Sequence, residues 1–103
     1  MPIHADVAVI GAGVIGCAIA HAFASTTAAR VVVLDRGHAG AEASTAAIGS
    51  LAFASGHARQ GMLLELRRRS AALYPEWVQT LEAESGRCLQ HDRHGLYALA
   101  FTD

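Results

Sequence analysis

Three glycines near the start of the sequence have the spacing that suits a bound diphosphate. Residues 11–16 read Gly-Ala-Gly-Val-Ile-Gly, the pattern G-x-G-x-x-G, and they follow a short apolar run. Gly11 permits a sharp turn with positive φ, Gly13 lets the backbone approach a pyrophosphate, and Gly16 lets a helix pack closely on a sheet. The first amides of that helix favour an anion, because they lack partners within the helix. The candidate diphosphate site is this whole glycine motif: Gly11, Ala12, Gly13, Val14, Ile15 and Gly16.

An aspartate follows at the distance expected for the ribose of the same nucleotide. Asp35 lies nineteen residues beyond Gly16, close to the spacing of about 20 at which an acid accepts hydrogen bonds from adenosine ribose. The alternative is a strand-end aspartate that merely faces solvent, which the combination of glycines, strand, helix and acid disfavours. These residues alone indicate an adenine dinucleotide and leave the choice between nicotinamide and flavin open.

Hydrophobic periodicity predicts the elements that would position these groups. Val7–Ile10 and Val31–Leu34 are short apolar runs, typical of buried parallel strands. Cys17 is interpreted as a small buried residue of the helix between them. Apolar residues three and four apart predict one apolar face for that helix, made of Val14, Ile15, Ala18, Ile19, Ala22 and Phe23.

The next segment, residues 36–50, is rich in glycine, alanine and serine. Such a backbone stays accessible to a second part of a large ligand, whereas a flexible linker is the simpler alternative. Residues 44–47 read Ser-Thr-Ala-Ala, which predicts the first turn of a short helix with a hydroxyl cap. Phosphate could also bind there.

The second half of the sequence predicts a long helix followed by a hairpin. Pro75 predicts a kink or a restart within the helix over residues 58–84, and Gly86 ends it. Residues 88–91 and 96–101 read as two strands around a turn at residues 92–95. The apolar face of the helix is expected at Leu63, Leu66, Ser70, Leu73, Trp77 and Leu81.

Composition excludes several classes of protein. With 52% hydrophobic residues, 17% charged residues and a net charge of −1 over 103 residues, we expect one folded domain at most and no binding of nucleic acid. Two cysteines do not suggest a disulfide framework, so a reducing, cytoplasmic compartment is expected. Residues 7–24 are apolar enough to span a membrane, but the acidic leader, His21 and the glycines argue against a span or a signal peptide.

Metal ligands and catalytic side chains are not identifiable in the sequence. His91 and His94 are three residues apart, without a cysteine or carboxylate cluster at ligand spacing, so two exposed histidines are expected. No Ser-His-Asp or Cys-His arrangement is recognisable. We therefore expect neither a metal site nor a catalytic residue in this chain.

Five stretches of the sequence carry a resemblance to a known family. They read DVAVIGAGVIGCAIAHAFA, VVVLDRG, EASTAAIGSLA, LLELRRRSAALYPEWVQTLEAESG and HGLYALA. Together they resemble the amino-terminal part of the D-amino-acid oxidase superfamily of flavoproteins, nearest to the glycine oxidases of thiamine biosynthesis. The glycine motif is widespread, whereas the A-S-x-A-A-x-G-x-L and L-Y-P-E-W segments are much more specific.

The resemblance implies FAD as the cofactor and gives each candidate residue a place along it. The glycine motif would line the pyrophosphate, Asp35 would bind the adenosine ribose, and Arg36 would lie beside the adenine. The implied reaction is oxidative deamination of glycine or another small amino acid or amine, by hydride transfer to FAD. The family stretch that runs along the phosphates to the flavin ring corresponds to Ser44, Thr45, Ala46, Ala47 and Gly49.

The resemblance also implies a fold and its extent. The expected fold is α/β: a Rossmann-like FAD-binding βαβ unit with a long kinked helix and a carboxy-terminal β-hairpin, in an incomplete domain. Residues 1–103 would form the amino-terminal part of the FAD-binding domain, and residues 88–101 would begin the substrate domain. Side chains that grip the substrate are expected beyond Asp103. The fragment alone is expected to be inactive, and the complete enzyme to be a possible homo-oligomer.

Three alternatives stay open at this point. Gly49-Ser50-Leu51 stands where many glycine oxidases read Gly-Met-Leu, and Ile48 replaces a small residue. An FAD-dependent D-amino-acid or hydroxyproline dehydrogenase is therefore the first alternative. An NAD-dependent dehydrogenase is the second, and a non-catalytic nucleotide-binding remnant is the third.

Overall fold

The computed structural model describes residues 2, 4–51, 61–95, 97, 99 and 101, in two units that comprise residues 1–49 and 50–103. The first unit contains strand β1 (Val7–Ile10), helix α1 (Val14–Thr26), strand β2 (Val31–Leu34) and the short helix α2 (Ala43–Ala46). The described part of the second unit contains the long helix α3 (Met62–Ser85). The units are considered separately below.

The first unit has the predicted strand, helix and strand at its centre. β1 and β2 pair in parallel, with a register that runs from Val7 opposite Val31 to Ile10 opposite Leu34. A parallel pair needs a crossover connection, which α1 supplies. The expectation of a βαβ start is therefore confirmed.

Helix α1 packs on this sheet through small residues. Ala12 and Ala20 are the buried apolar residues of the described chain, and Gly16 lies on the same side of the helix as Ala20, one turn earlier. The predicted apolar face is wrong, since Ile15 is 74% exposed. The prediction that Cys17 is buried is also wrong, because its side chain is exposed. A close approach of helix to sheet leaves room only for small side chains at the contact.

The strands are half covered rather than buried. Ile10 is 87% exposed and Leu34 is 52% exposed, so the prediction of two buried strands is wrong for this chain. α1 is the helix that packs against both strands, and one helix covers only one face of a sheet. Burial on both faces needs helices on both sides.

Helix α3 in the second unit ends where the sequence predicts. Gly86 has the left-handed conformation (φ 67°, ψ 17°), and its N–H donates to the carbonyl of Glu82 at 2.9 Å. The helix runs on through Pro75 without a restart, and a kink there stays a prediction. Its predicted start at residue 58 lies outside the described residues.

The predicted apolar face of α3 is covered only toward the end of the helix. Leu66 and Leu73 are 61% and 67% exposed, whereas Trp77 and Leu81 of the same predicted face are half-buried. Tyr74, one turn before Trp77, is half-buried as well.

The chain after α3 folds back onto this part of the helix. The Tyr74 ring lies 6.0 Å from the His91 ring, and Leu89 N–H donates to Glu82 Oε1 at 2.7 Å. Periodicity predicted the helix correctly, but the returning chain decides which part of it is covered.

The predicted carboxy-terminal hairpin is not confirmed. Residues 88–91 form no strand, and residues 96, 98 and 100 of the second predicted strand lie outside the described residues. A local turn is present, since Asp92 Oδ1 accepts the N–H of His94 at 2.8 Å and Gly95 has φ 92°. Within the described ranges, no helix combines the length and the apolar character needed to cross a membrane.

Candidate functional site

A cavity of about 480 Å³ lies in the first unit, at the carboxyl ends of β1 and β2. In open parallel sheets, ligands bind in the crevice outside the carboxyl ends of the strands. The predicted site residues that line the cavity are Gly11, Gly13, Asp35, Arg36 and Ser44. Five of the predicted residues thus meet at one cavity, and their role in binding a cofactor stays a prediction.

The predicted site residues and the residues that line the cavity overlap only in part. The lining residues that the sequence did not predict are Ile10, Leu34, His38, Gly40, Ala41, Glu42 and Ala43. Opposite charges at positions 36 and 42 were the available signal for Glu42. The predicted residues that do not line the cavity are Ala12, Val14, Ile15, Gly16, Thr45, Ala46, Ala47 and Gly49.

Gly11 and Gly16 shape the turn that leaves β1. Gly11 has φ 99°, a conformation that favours glycine, and its N–H donates to the Leu34 carbonyl at 2.7 Å. A Cβ on Gly16 would lie 1.9 Å from the Gly11 carbonyl oxygen and 3.5 Å from Val9 Cγ1. The third glycine of the motif is therefore required by the turn as well as by the strand.

Asp35 turns its carboxylate toward the backbone of the glycine motif. Its Oδ2 accepts the N–H of Ala12 at 2.7 Å, and its Oδ1 accepts the N–H of Gly37 at 2.8 Å. These two hydrogen bonds, with the larger effect from Ala12, hold the pKa of the Asp35 carboxyl below its ordinary value. A carboxylate has about four acceptor positions. Two bonds therefore leave acceptor capacity for the hydroxyls of a ribose.

Residues 36–45, here called the cavity loop, are fastened to the glycine motif. Gly40 N–H donates to the Ala12 carbonyl at 2.8 Å, and Ser44 Oγ accepts the N–H of Val14 at 2.9 Å. A flexible linker makes no such bonds, so that alternative is wrong for this segment. Ser44 thereby satisfies an amide in the first turn of α1, the place predicted to attract phosphate.

The charges and hydroxyls of the cavity loop are also engaged. Arg36 forms an exposed ion pair with Glu42 through its Nε at 3.0 Å and through its Nη2. The helix α2 exists as predicted, but its N-cap residue is Glu42 and no side chain caps it. The prediction of a hydroxyl cap is wrong, because Ser44 bonds to Val14 and Thr45 donates to the Gly40 carbonyl.

The two histidines considered as metal ligands lie in the second unit. His94 Nδ1 contacts Asp92 Oδ1 at 2.5 Å, and its side chain is 94% exposed. Among the described residues, no three His, Cys, Asp or Glu side chains gather at a distance that would hold a metal ion.

Acid should destabilise this protein through Asp6 and Asp35. Hydrogen bonds from Arg30 lower the pKa of Asp6, as those from Ala12 and Gly37 lower the pKa of Asp35. A carboxyl with a lowered folded pKa stabilises the fold above its unfolded pKa of about 3.9, and this contribution is lost as the pH falls through the folded value. Urea midpoints at pH 7, 5 and 3 should therefore fall most steeply below about pH 4.

Matched variants assign this acid effect to the two carboxyls. Asp6→Asn and Asp35→Asn should each be less stable than the wild type at pH 7 and should lose less stability on acidification. An acid dependence that is unchanged in both variants would contradict the assignment.

Comparison with known proteins gives two matches. Residues 6–103 match the model of a family described as FAD dependent oxidoreductase. The chain is 36% identical over 98 residues to the glycine oxidase of Geobacillus kaustophilus (strain HTA426), an alignment that covers 95% of the chain and 26% of that protein. The chain thus spans about a quarter of the length of this relative. No solved structure matches the chain.

Proposed function

The chain belongs to the FAD dependent oxidoreductase family, whose cofactor is FAD, and on that premise we propose that its first unit holds the ADP half of FAD in the cavity. The observation that carries the proposal is the convergence of Gly13, Asp35 and Ser44 on one cavity at the carboxyl ends of two parallel strands. These residues lie far apart in the sequence and have the chemistry for a diphosphate and a ribose.

The residues around the cavity fit this half of the cofactor. A volume of about 480 Å³ falls within the usual range of about 300–1,000 Å³ for ligand sites. We assign the glycine motif, residues 11–16, to the pyrophosphate, and Asp35 to the ribose through its remaining acceptor positions. Arg36 is assigned to the adenine end. The residues assigned to the path toward the flavin are Ser44, Thr45, Ala46, Ala47 and Gly49.

The proposed reaction is oxidative deamination of glycine or another small amino acid, as the name of the relative suggests. Bound FAD would supply the redox chemistry by accepting a hydride from the carbon that carries the amino group. The part of this chain is to bind and orient the cofactor. Three amides of the glycine motif already donate within the chain, so the amides assigned to offset the negative charge of the diphosphate are those of Gly13, Ile15 and Gly16 at the start of α1. The cavity loop fixes the turn that presents them. We place the protein in the cytoplasm.

One observation supports a second candidate, an FAD-dependent D-amino-acid or hydroxyproline dehydrogenase. Ile48 and Ser50 depart from the glycine oxidase pattern beside Gly49, in the segment assigned to the path toward the flavin. Hydrogen peroxide released with glycine or sarcosine by the full-length protein would favour the oxidase. Reduction of a dye without peroxide would favour the dehydrogenase.

Titration with FAD tests the cofactor site itself. The protein should quench the fluorescence of added FAD, and ADP should displace it, because ADP carries the half that the cavity is proposed to hold. FMN lacks that half and should compete poorly, which makes it the matched control ligand. A folded protein that binds NAD and leaves FAD fluorescence unchanged would contradict the proposal.

A further inference from the structure

Asp35 contacts the glycine motif directly, and we propose that it is a positioning residue for the diphosphate site, apart from any bond to ribose. The inference rests on the proposed function, because it concerns the same cavity. It adds a second role for one side chain: the carboxylate fixes the amide that separates Gly11 from Gly13, and so fixes the backbone that a diphosphate must approach.

The position of Ala12 explains why such an anchor is needed. Ala12 lies between two glycines, the residues with the most conformational freedom to lose on folding. Its N–H donates to Asp35 Oδ2 at 2.7 Å, across 23 residues of sequence, and its carbonyl accepts the Gly40 N–H at 2.8 Å. Both the N–H and the carbonyl of Ala12 are thus hydrogen-bonded to residues that follow β2 in the chain. Its side chain is buried, with 8% exposed.

Asp35 also links the glycine motif to the cavity loop. Its second oxygen accepts the Gly37 N–H at 2.8 Å, so one carboxylate bridges the start of the loop and the turn after β1. An asparagine side chain has the same shape, but only one of its two polar atoms accepts hydrogen bonds. In Asp35→Asn, either Ala12 N–H or Gly37 N–H would face an NH₂ group, and the bridge would break.

The negative charge of Asp35 and its hydrogen bonds to the turn predict opposite effects of Asp35→Asn on anion binding. A carboxylate near a diphosphate repels it, so removing the negative charge should strengthen anion binding if Asp35 serves only the ribose. If Asp35 positions the turn, its loss should weaken anion binding despite the relief of repulsion. The other charged or titratable side chains that line the cavity are Arg36, His38 and Glu42. These three side chains are the same in the wild type and in Asp35→Asn, so they do not decide whether anion affinity rises or falls between the two proteins.

Inorganic pyrophosphate is the probe that separates these roles, because it has no ribose. Its affinity, measured by competition with ADP, should fall roughly tenfold in Asp35→Asn, as expected for loss of a charge-assisted hydrogen bond. Asp6→Asn is the matched control: Asp6 Oδ2 accepts the Arg30 N–H at 2.8 Å at the opposite ends of the two strands, and Asp6 does not line the cavity. It should leave pyrophosphate affinity within about twofold. Unchanged or tighter binding of pyrophosphate by Asp35→Asn would overturn the inference.

Hydrogen exchange tests the anchor without any ligand. The Ala12 amide should exchange at least about tenfold faster in Asp35→Ala, which removes both acceptor oxygens, than in the wild type, while Asp6→Asn leaves it unchanged. Equal exchange in Asp35→Ala and wild type would overturn the inference even if FAD binds. Conversely, a wild type that fails to bind FAD or ADP would contradict the proposed function, and the exchange result would still stand.

A titration of the wild type covers the case in which Asp35→Asn does not fold. The N–H chemical shift of Ala12 should follow protonation of the Asp35 carboxyl at acid pH, because the amide donates to that group. A shift that stays constant through this titration, while the protein remains folded, would overturn the inference.

Discussion

Replacing Gly16 by alanine should destabilise the protein by about 1–3 kcal/mol or more and abolish FAD binding. The added Cβ would lie 1.9 Å from the Gly11 carbonyl oxygen and 3.0 Å from the Gly11 carbonyl carbon. These are backbone atoms of the turn, so no side-chain rotation relieves the clash. The turn must move away from α1, and the amides that face the diphosphate move with it. Urea unfolding and FAD titration of the same sample measure both effects.

Gly37→Ala is the matched control for this substitution. A Cβ at Gly37 would meet only Asp35 Oδ1, at 3.9 Å, an ordinary contact. The φ angle of Gly37 is also not positive, so the backbone tolerates alanine at this position. Its stability should stay within about 0.5 kcal/mol of the wild type. A Gly16→Ala protein as stable as Gly37→Ala, with wild-type affinity for FAD, would contradict the expected clash.

The local part of the fold is readable from the sequence because it depends on neighbouring residues. Local backbone preferences identify the two strands, Val7–Ile10 and Val31–Leu34, and the turn at Gly11. Together these segments predict a βαβ unit. The stop of α3 at Gly86 is of the same kind, since a left-handed glycine ends a helix whatever surrounds it.

Side-chain burial depends on tertiary packing, so the sequence predicts it less well than it predicts helices and strands. Helix α1 carries apolar residues on most of its surface, so periodicity does not choose a contact face. The sheet selects Gly16 and Ala20 because only small side chains permit the close approach, and Ile15 stays exposed. On α3, the chain that returns to Tyr74 makes the choice.

The candidate site likewise combines residues that the sequence predicts with contacts that depend on tertiary packing. Asp35 could be predicted from its spacing, but its bond to Ala12 N–H joins two irregular segments whose path depends on glycine conformations. Gly40, with φ 73°, turns the cavity loop back toward the glycine motif. No periodicity describes such a loop, and for that reason Glu42 and His38 were not anticipated as lining residues. The resemblance to the D-amino-acid oxidase superfamily, now confirmed, supplied the cofactor that spacing alone left open.

Replacing Gly13 by valine should reduce affinity for FAD by about a hundredfold while leaving the fold intact. Gly13 has φ −75° and ψ 179°, an extended backbone that valine adopts readily. Its added Cβ would lie 3.2 Å from Ser44 Oγ, and the two methyl groups beyond it would occupy the wall that a diphosphate must approach. Overpacking of this kind costs about 1–3 kcal/mol, or up to about a hundredfold in affinity. Fluorescence titration with FAD measures the loss of affinity, and urea unfolding checks that the fold is intact.

A cycle with Ser44 separates two causes of that loss. Gly13→Ala brings only the Cβ, which Ser44 Oγ can clear by moving a few tenths of an ångström, so its effect on FAD affinity should be several-fold. Ser44→Ala removes the hydroxyl and leaves the Val14 N–H without its partner at 2.9 Å. If the clash with Ser44 dominates, the double variant Gly13→Ala with Ser44→Ala should bind FAD better than the product of the two single effects predicts. Adding Ser44→Ala to Gly13→Val should bring no such recovery, because there the methyl groups themselves fill the cavity wall. FAD affinity of Gly13→Val equal to that of the wild type would show that the diphosphate does not approach this glycine.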